Sequence, residues 1–112
     1  MLNYADRGGN GMGVSFVNRA KVDEVLNAVE ASSSARMRGT FNASLDGTFV
    51  ATLQLERSYD NGVTWNPLTA LGNAIEFTTP CEEIFSEPES GVLYRWNCTA
   101  YTSGSIEARI SQ

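Results

Sequence analysis

The sequence predicts an all-β fold: a small antiparallel β-sandwich with an N-terminal extended arm and one short amphipathic helix. Three observations carry this. From Arg36 onward apolar residues recur at every second position. Turn residues interrupt these runs at intervals of ~8 to 12 residues. The one helical periodicity is confined to the positions before them. At 112 residues the chain is long enough for one core.

Taken in order, Arg7 to Gly13 carries four glycines in seven residues, which is costly to order in isolation. Val14, Phe16 and Val17 follow as a short apolar patch. The segment reads either as an arm ordered on a neighbouring molecule or as a free terminus. Over Arg19 to Ala31, Val22, Val25, Leu26 and Val29 fall at i, i+3, i+4 and i+7, with Asp23, Glu24, Asn27 and Glu30 opposite. So short a helix needs a surface on which to dock its stripe. Ser32 to Ser34 closes it as a linker. The organisation is therefore an arm and helix over residues 1–34 and a β-domain over residues 35–112.

Within that domain Met37, Gly39, Phe41, Ala43 and Leu45 alternate with polar residues up to Asp46-Gly47, a two-residue hairpin signal. The return strand places Phe49, Ala51, Leu53 and Leu55 on one face, with Val50 out of phase. Ala74 to Thr78 reads as a further strand, stopped by Pro80. Cys81 to Ser90 reads as an irregular acidic loop. Gly91 to Tyr101 places Val92, Tyr94, Trp96, Cys98 and Ala100 on one side, and Ile106, Ala108 and Ile110 align in a last strand.

Between the second strand and Pro67 lies Ser58-Tyr59-Asp60-Asn61-Gly62-Val63-Thr64-Trp65. Asp60 can bond to backbone ahead of it, and Asn61 and Gly62 tolerate positive φ. Thr64 favours extended backbone, and the Trp65 indole is large enough to anchor a hairpin on a core. The string resembles the Asp-box of sialidases and other β-proteins, Ser-x-Asp-x-Gly-x-Thr-Trp. Ser58, Asp60, Gly62, Thr64 and Trp65 match each specified position. The resemblance implies a folding device for a hairpin, not a catalytic centre.

Composition narrows the function classes. The net charge is −5, and seven of the eight basic residues are arginines scattered without a basic tract, so nucleic acid is not expected as a partner. No apolar run reaches the ~20 residues of a membrane helix, and Met1 to Asp6 lacks the pattern of a secretory signal, so a chain made in the cytoplasm is expected. The sequons at Asn42 and Asn97 then read as accidental. The chain contains no histidine, which removes the commonest general base and metal ligand. Cys81 and Cys98 are too few for a structural zinc site and are expected as reduced thiols. No phosphate-binding or dinucleotide fingerprint is present. No enzymatic activity, cofactor or catalytic residue is expected.

Two other chemistries are open to the side chains. Glu82, Glu83, Glu87 and Glu89 could converge on Ca²⁺ or form a glycosidase pair, though a solvated acidic loop accounts for them more simply. Tyr59, Trp65, Tyr94, Trp96 and Tyr101 could form a sugar-stacking platform. Alternation puts Trp65, Tyr94 and Trp96 in the core, leaving Tyr59 and Tyr101 as contact candidates.

Gly39-Thr40-Phe41, the stretch Leu55 to Trp65, and the tail Gly91-Val92-Leu93-Tyr94-Arg95-Trp96-Asn97-Cys98-Thr99-Ala100-Tyr101-Thr102-Ser103-Gly104 resemble small virion structural proteins of tailed bacteriophages. The resemblance covers residues 39–112 and implies a non-enzymatic β-sandwich that attaches to the particle as a capsid decoration or cement protein, or as a head, neck or tail accessory. It carries over no functional residues. The expectation is a homo-oligomer, trimer or dimer, in the virion, bound to capsid or neck proteins. Its contacts are expected at Val14, Phe16, Val17, Val22, Val25, Leu26 and Val29. The alternative is a carbohydrate-binding module for host-surface or mucus glycans.

Overall fold

The computed structural model describes residues 21–112. They form an antiparallel sheet of six strands plus a small sheet of two, and no helix occurs among the described residues. The all-β expectation therefore holds. The strands are β1 (Lys21–Leu26), β2 (Ala35–Asp46), β3 (Phe49–Ser58), β4 (Asn66–Pro67), β5 (Thr69–Ala70), β6 (Asn73–Ala74), β7 (Cys81–Gly104) and β8 (Ile106–Ser111). The large sheet runs β1-β8-β2-β7-β3-β4, and β5 pairs only with β6.

β7 organises the whole molecule. It is 24 residues long; its first half pairs with β2 and its second half with β3, and the two ladders overlap at Leu93 and Tyr94, where β2 pairs again from Met37↔Val92 to Ala35↔Tyr94. Cys81 to Glu87 lies beside β2, from Leu45↔Cys81 to Gly39↔Glu87. Leu93 to Gly104 lies beside β3, from Ser58↔Leu93 to Phe49↔Gly104. The stretch between includes Gly91 at φ 82°, a conformation that favours glycine. Opposite it, the β2 register shifts between Met37 and Gly39.

The Asp46-Gly47 turn was expected to close a hairpin between its flanking strands. The two strands form with the expected in–out alternation, but they do not pair with each other: β7 lies between them in the sheet order. The turn instead packs against the β7–β8 connection. Ser105 N donates to Thr48 O at 3.0 Å. A Cβ on Gly104 (φ 95°) would stand 2.1 Å from Thr48 O, so only glycine fits there.

The segment expected as an amphipathic helix, Arg19 to Ala31, is not helical where it is described. Lys21–Leu26 is strand β1, paired in full register with β8 from Lys21↔Ser111 to Leu26↔Ile106. Val22 and Leu26 enter the core, whereas Val25 and Val29 are exposed, 59% and 65%. An i, i+4 pair satisfies a period of two as well as one of 3.6. A β8 edge able to accept six backbone partners, together with β-branched valines, decides for strand. Beyond β1, Cys98 N donates to Glu30 O at 2.9 Å and Ser32 N to Trp96 O at 2.8 Å. Residues 21–34 thus belong to the same sheet system as residues 35–112, and the expected domain boundary at 34/35 does not separate them. Cys81 to Ser90, expected as an irregular loop, is β strand.

One core unites these elements: Val22 and Leu26 of β1, Met37, Phe41 and Leu45 of β2, Leu53 and Leu55 of β3, Val92, Tyr94, Trp96 and Cys98 of β7, and Ile106 and Ile110 of β8. The Phe77 ring meets Trp96 edge-on at 5.1 Å, and Phe41 stacks obliquely on Tyr94 at 4.5 Å. Ala100, expected in this row, is exposed. The register against β3 slips between Thr52 and Leu53, so the β7 side chains change phase after Cys98.

Candidate functional site

The segment Ser58 to Trp65 folds as a hydrogen-bonded turn between β3 and β4. The Ser58 hydroxyl donates to Asp60 Oδ1 at 2.7 Å and accepts from Gly62 N at 2.9 Å, while Thr64 N donates to Asp60 Oδ1 at 2.8 Å. Asn61 (φ 62°) and Gly62 (φ 88°) take the positive-φ positions that the sequence offers. The Thr64 amide and the Ser58 hydroxyl bond the charged form of Asp60, holding its carboxyl down at about 2. Trp65 does not enter the core as expected. It is half-buried beneath the Arg95 guanidinium, whose centre lies 4.3 Å from the ring. Arg36 ties the turn to the bend in β7, donating to Asn61 Oδ1 at 2.5 Å and to Gly91 O at 2.8 Å.

Among the described residues two carboxylates are buried, and both bind arginine. Glu87 accepts from Arg57 Nε at 3.0 Å and Nη2 at 2.5 Å, from the Tyr94 hydroxyl at 2.7 Å and from Glu89 N at 2.9 Å. Burial alone would raise its pKa; the Tyr94, Glu89 and Arg57 donors outweigh burial and hold it below the usual range. Burial, reinforced by Glu87, pushes the Tyr94 phenol up to about 12. Glu56 accepts from Arg95 Nε at 2.8 Å and Asn97 Nδ2 at 3.0 Å. Both networks cross between β3 and β7, and their polar atoms are used in fastening strands.

Beside the Arg57–Glu87 pair lies an open groove of about 530 Å³, with Leu68, Ile75, Phe85 and Pro88 on its walls and Tyr59 and Arg57 at one side. Leu68 and Ile75 form the stem of the β5–β6 hairpin. Ile75 N donates to Leu68 O, and Leu68 N to Leu55 O on β3, each at 2.9 Å. Leu71 and Gly72 form the tip between the paired residues Ala70 and Asn73.

The other candidate groups are not brought together. Glu82, Glu83 and Glu89 are exposed while Glu87 is turned inward, and no cluster of three or more metal-ligating residues occurs among the described residues. Of the five aromatic residues, Tyr94 and Trp96 are core, Tyr101 is half-buried with its hydroxyl on Gly104 O at 2.7 Å, and Tyr59 is exposed. Both cysteines are free thiols, each with its pKa raised by burial. Among the expected contact residues, Val22 and Leu26 are consumed by the core. Val25 and Val29 remain at the surface, and Val14, Phe16 and Val17 lie outside the described residues. The sequence reading missed the Arg57–Glu87–Tyr94 network. Its available signal was Glu87 alternating inward on a strand, which the loop assignment concealed.

No helix among the described residues is long and apolar enough to cross a membrane. Comparison with protein families, with curated proteins and with solved structures finds no match to this chain.

Proposed function

We propose that the chain is a non-enzymatic structural component of a tailed-phage virion, a homo-oligomer attached to the capsid or neck as a decoration, cement or accessory protein. The body is read as a small sandwich: β1, β8, β2 and the first half of β7 make one layer, and the second half of β7, β3 and β4 make the other. The observation that carries the reading is the use of the buried charge. Glu87 and Glu56 are both committed to arginine pairs that lock β3 to β7, so the polar chemistry of the interior serves rigidity. Exposed apolar side chains, Val25, Val29, Ile84 and Leu71 among them, then offer contact surface. The resemblance of residues 39–112 to virion proteins supports the same reading.

Because Val22 and Leu26 belong to the core, attachment falls to Val14, Phe16 and Val17 together with Val25 and Val29. Weak apolar contacts of this kind gain avidity when repeated over a symmetric shell. The test replaces Val14, Phe16 and Val17 together by Asp in the full chain and measures co-sedimentation with phage particles. Loss of particle binding with an unchanged circular dichroism spectrum is expected. Undiminished binding refutes attachment through these residues.

A further inference from the structure

Asn61-Gly62 is the only asparagine–glycine pair among the described residues. Asn61 is exposed, and both residues stand at positive φ, 62° and 88°. Asparagine is a chemically labile residue, and glycine after it makes it more so. The glycine nitrogen can attack the preceding carboxamide carbon, because glycine has no Cβ to obstruct the approach. The other described asparagines precede Ala28, Ala43, Pro67, Ala74 or Cys98. Those side chains crowd the approach, and Pro67 has no N–H to give up.

The groups that must move are held. Gly62 N donates to the Ser58 hydroxyl at 2.9 Å, and that hydroxyl is fixed in turn by donating to Asp60 Oδ1 at 2.7 Å. Asn61 Oδ1 accepts from Arg36 Nη2 at 2.5 Å, and the same guanidinium is anchored on Gly91 O at 2.8 Å. Ring closure requires the Gly62 peptide plane to turn toward the carboxamide, which breaks the Ser58 bond. It also requires the carboxamide to swing, which breaks the Arg36 bond. We propose that Asn61 is a site of spontaneous deamidation that the folded turn holds latent through Ser58 and Arg36. In the reaction Gly62 N loses its proton and bonds to Asn61 Cγ, while the Cγ–Nδ2 bond breaks and ammonia leaves, closing a succinimide. Water then opens the ring. Opening at Cγ leaves aspartate on the ordinary backbone, and opening at the Asn61 main-chain carbonyl leaves isoaspartate, with the chain running through the former side chain. Either product sets a new carboxylate beside Arg36, and the isoaspartate form shifts Gly62 N relative to Ser58. The inference does not depend on attachment to a particle.

The experiment incubates the full chain at mildly alkaline pH and follows conversion by tryptic mapping and mass spectrometry, with an isoaspartyl methyltransferase to count isoaspartate. The tryptic peptide from residue 58 to residue 95 reports Asn61 separately from the Asn10-Gly11 pair. Four samples are compared: folded wild type, wild type in urea, Ser58→Ala and Arg36→Ala. Protection of the Cys98 thiol shows in each native sample that the core is folded. Folded wild type should convert several-fold more slowly than the chain in urea. Each variant should convert several-fold faster than folded wild type while Cys98 stays protected. Equal rates for wild type folded and in urea overturn the latency, and an Asn61 that stays intact in urea overturns the site. Variants that both keep the wild-type rate overturn the restraint assigned to Ser58 and Arg36.

Discussion

Glu87 of β7 and Arg57 of β3 meet through two hydrogen bonds, with the carboxylate side chain 1% exposed and the guanidinium 26%. The Tyr94 hydroxyl and the Glu89 amide complete the set around the carboxylate. Glu87 lies at the break in the β2 ladder, and Arg57 lies opposite Tyr94 where β7 pairs with both β2 and β3, so the pair ties the first half of β7 to the second.

Removing one member should be costly. Glu87→Gln leaves the Arg57 charge without its counter-ion and should destabilise the protein by ~2–4 kcal/mol, measured by urea denaturation. The same variant should bring the Tyr94 phenol down from about 12, read by ultraviolet absorbance. The pH dependence follows in sign. Glu87 titrates below its ordinary 4.5 in the folded state, so its contribution is present above that pH and lost as pH falls through the lower folded value. The wild-type chain should lose stability on acidification more steeply than Glu87→Gln. Equal slopes would mean that Glu87 does not supply the effect.

The Ser58–Trp65 turn gives a second acid-sensitive element, with a separate window. Asp60 titrates at about 2 against an ordinary 3.8, so its hydrogen bonds persist above 3.8 and fail as pH approaches 2. Carboxyl resonances in NMR should report that midpoint. Ser58→Ala removes the buried partner of the Gly62 amide and should cost ~1–2 kcal/mol while leaving the core strands intact.

Glycine substitutions should separate steric fit from conformational preference. Gly104→Ala brings a Cβ within 2.6 Å of Phe49 Cα and closer still to Thr48 O, and should cost upward of ~3 kcal/mol. Gly72→Ala, with positive φ but nothing within 4 Å, should cost only ~1 kcal/mol. Thermal melts of the two variants would show the difference; comparable losses would place the conflict in φ alone.

The strand assignment of β1 is open to test by alanine substitution. Val22→Ala should destabilise by ~1–3 kcal/mol, because its side chain is buried against β8, whereas Val25→Ala should fall within ~0.5 kcal/mol. A helix docking its whole stripe would make the two losses similar.

Thiol accessibility offers a further check. Cys98 is fully buried and donates to Ala100 O at 3.3 Å, whereas Cys81 is partly exposed. A disulfide reagent at neutral pH should modify Cys81 slowly and Cys98 only on unfolding, because burial raises both thiols.

The legible parts of the fold are those in which a local rule decides. Phe41, Ala43 and Leu45, Leu53 and Leu55, and every second residue from Val92 to Cys98 are buried as the alternation requires, although Ser44 between them is buried as well. The Asp60–Gly62 turn forms because its side chains bond within a few residues of themselves. Illegible were the features set by distant partners. The β1 stripe fits two periods and is decided by β8. The Asp46-Gly47 turn joins strands that β7 separates. Glu82 to Glu89 looks like a solvated loop until Arg57, thirty residues earlier, accounts for Glu87. Leu71 carried no sequence signal, since its φ of 53° is unusual for leucine.

The double duty of β7 also governs how the chain can fold. β2 and β3 lack a ladder with each other, so neither gains its main neighbour until residues 81–104 are available. Closure of long loops must therefore precede most of the stabilising contacts, which makes refolding slow and all-or-none. During synthesis on the ribosome, β2 and β3 emerge with unsatisfied edges and wait for their shared partner, a period in which a chaperone or a neighbouring nascent chain competes for them.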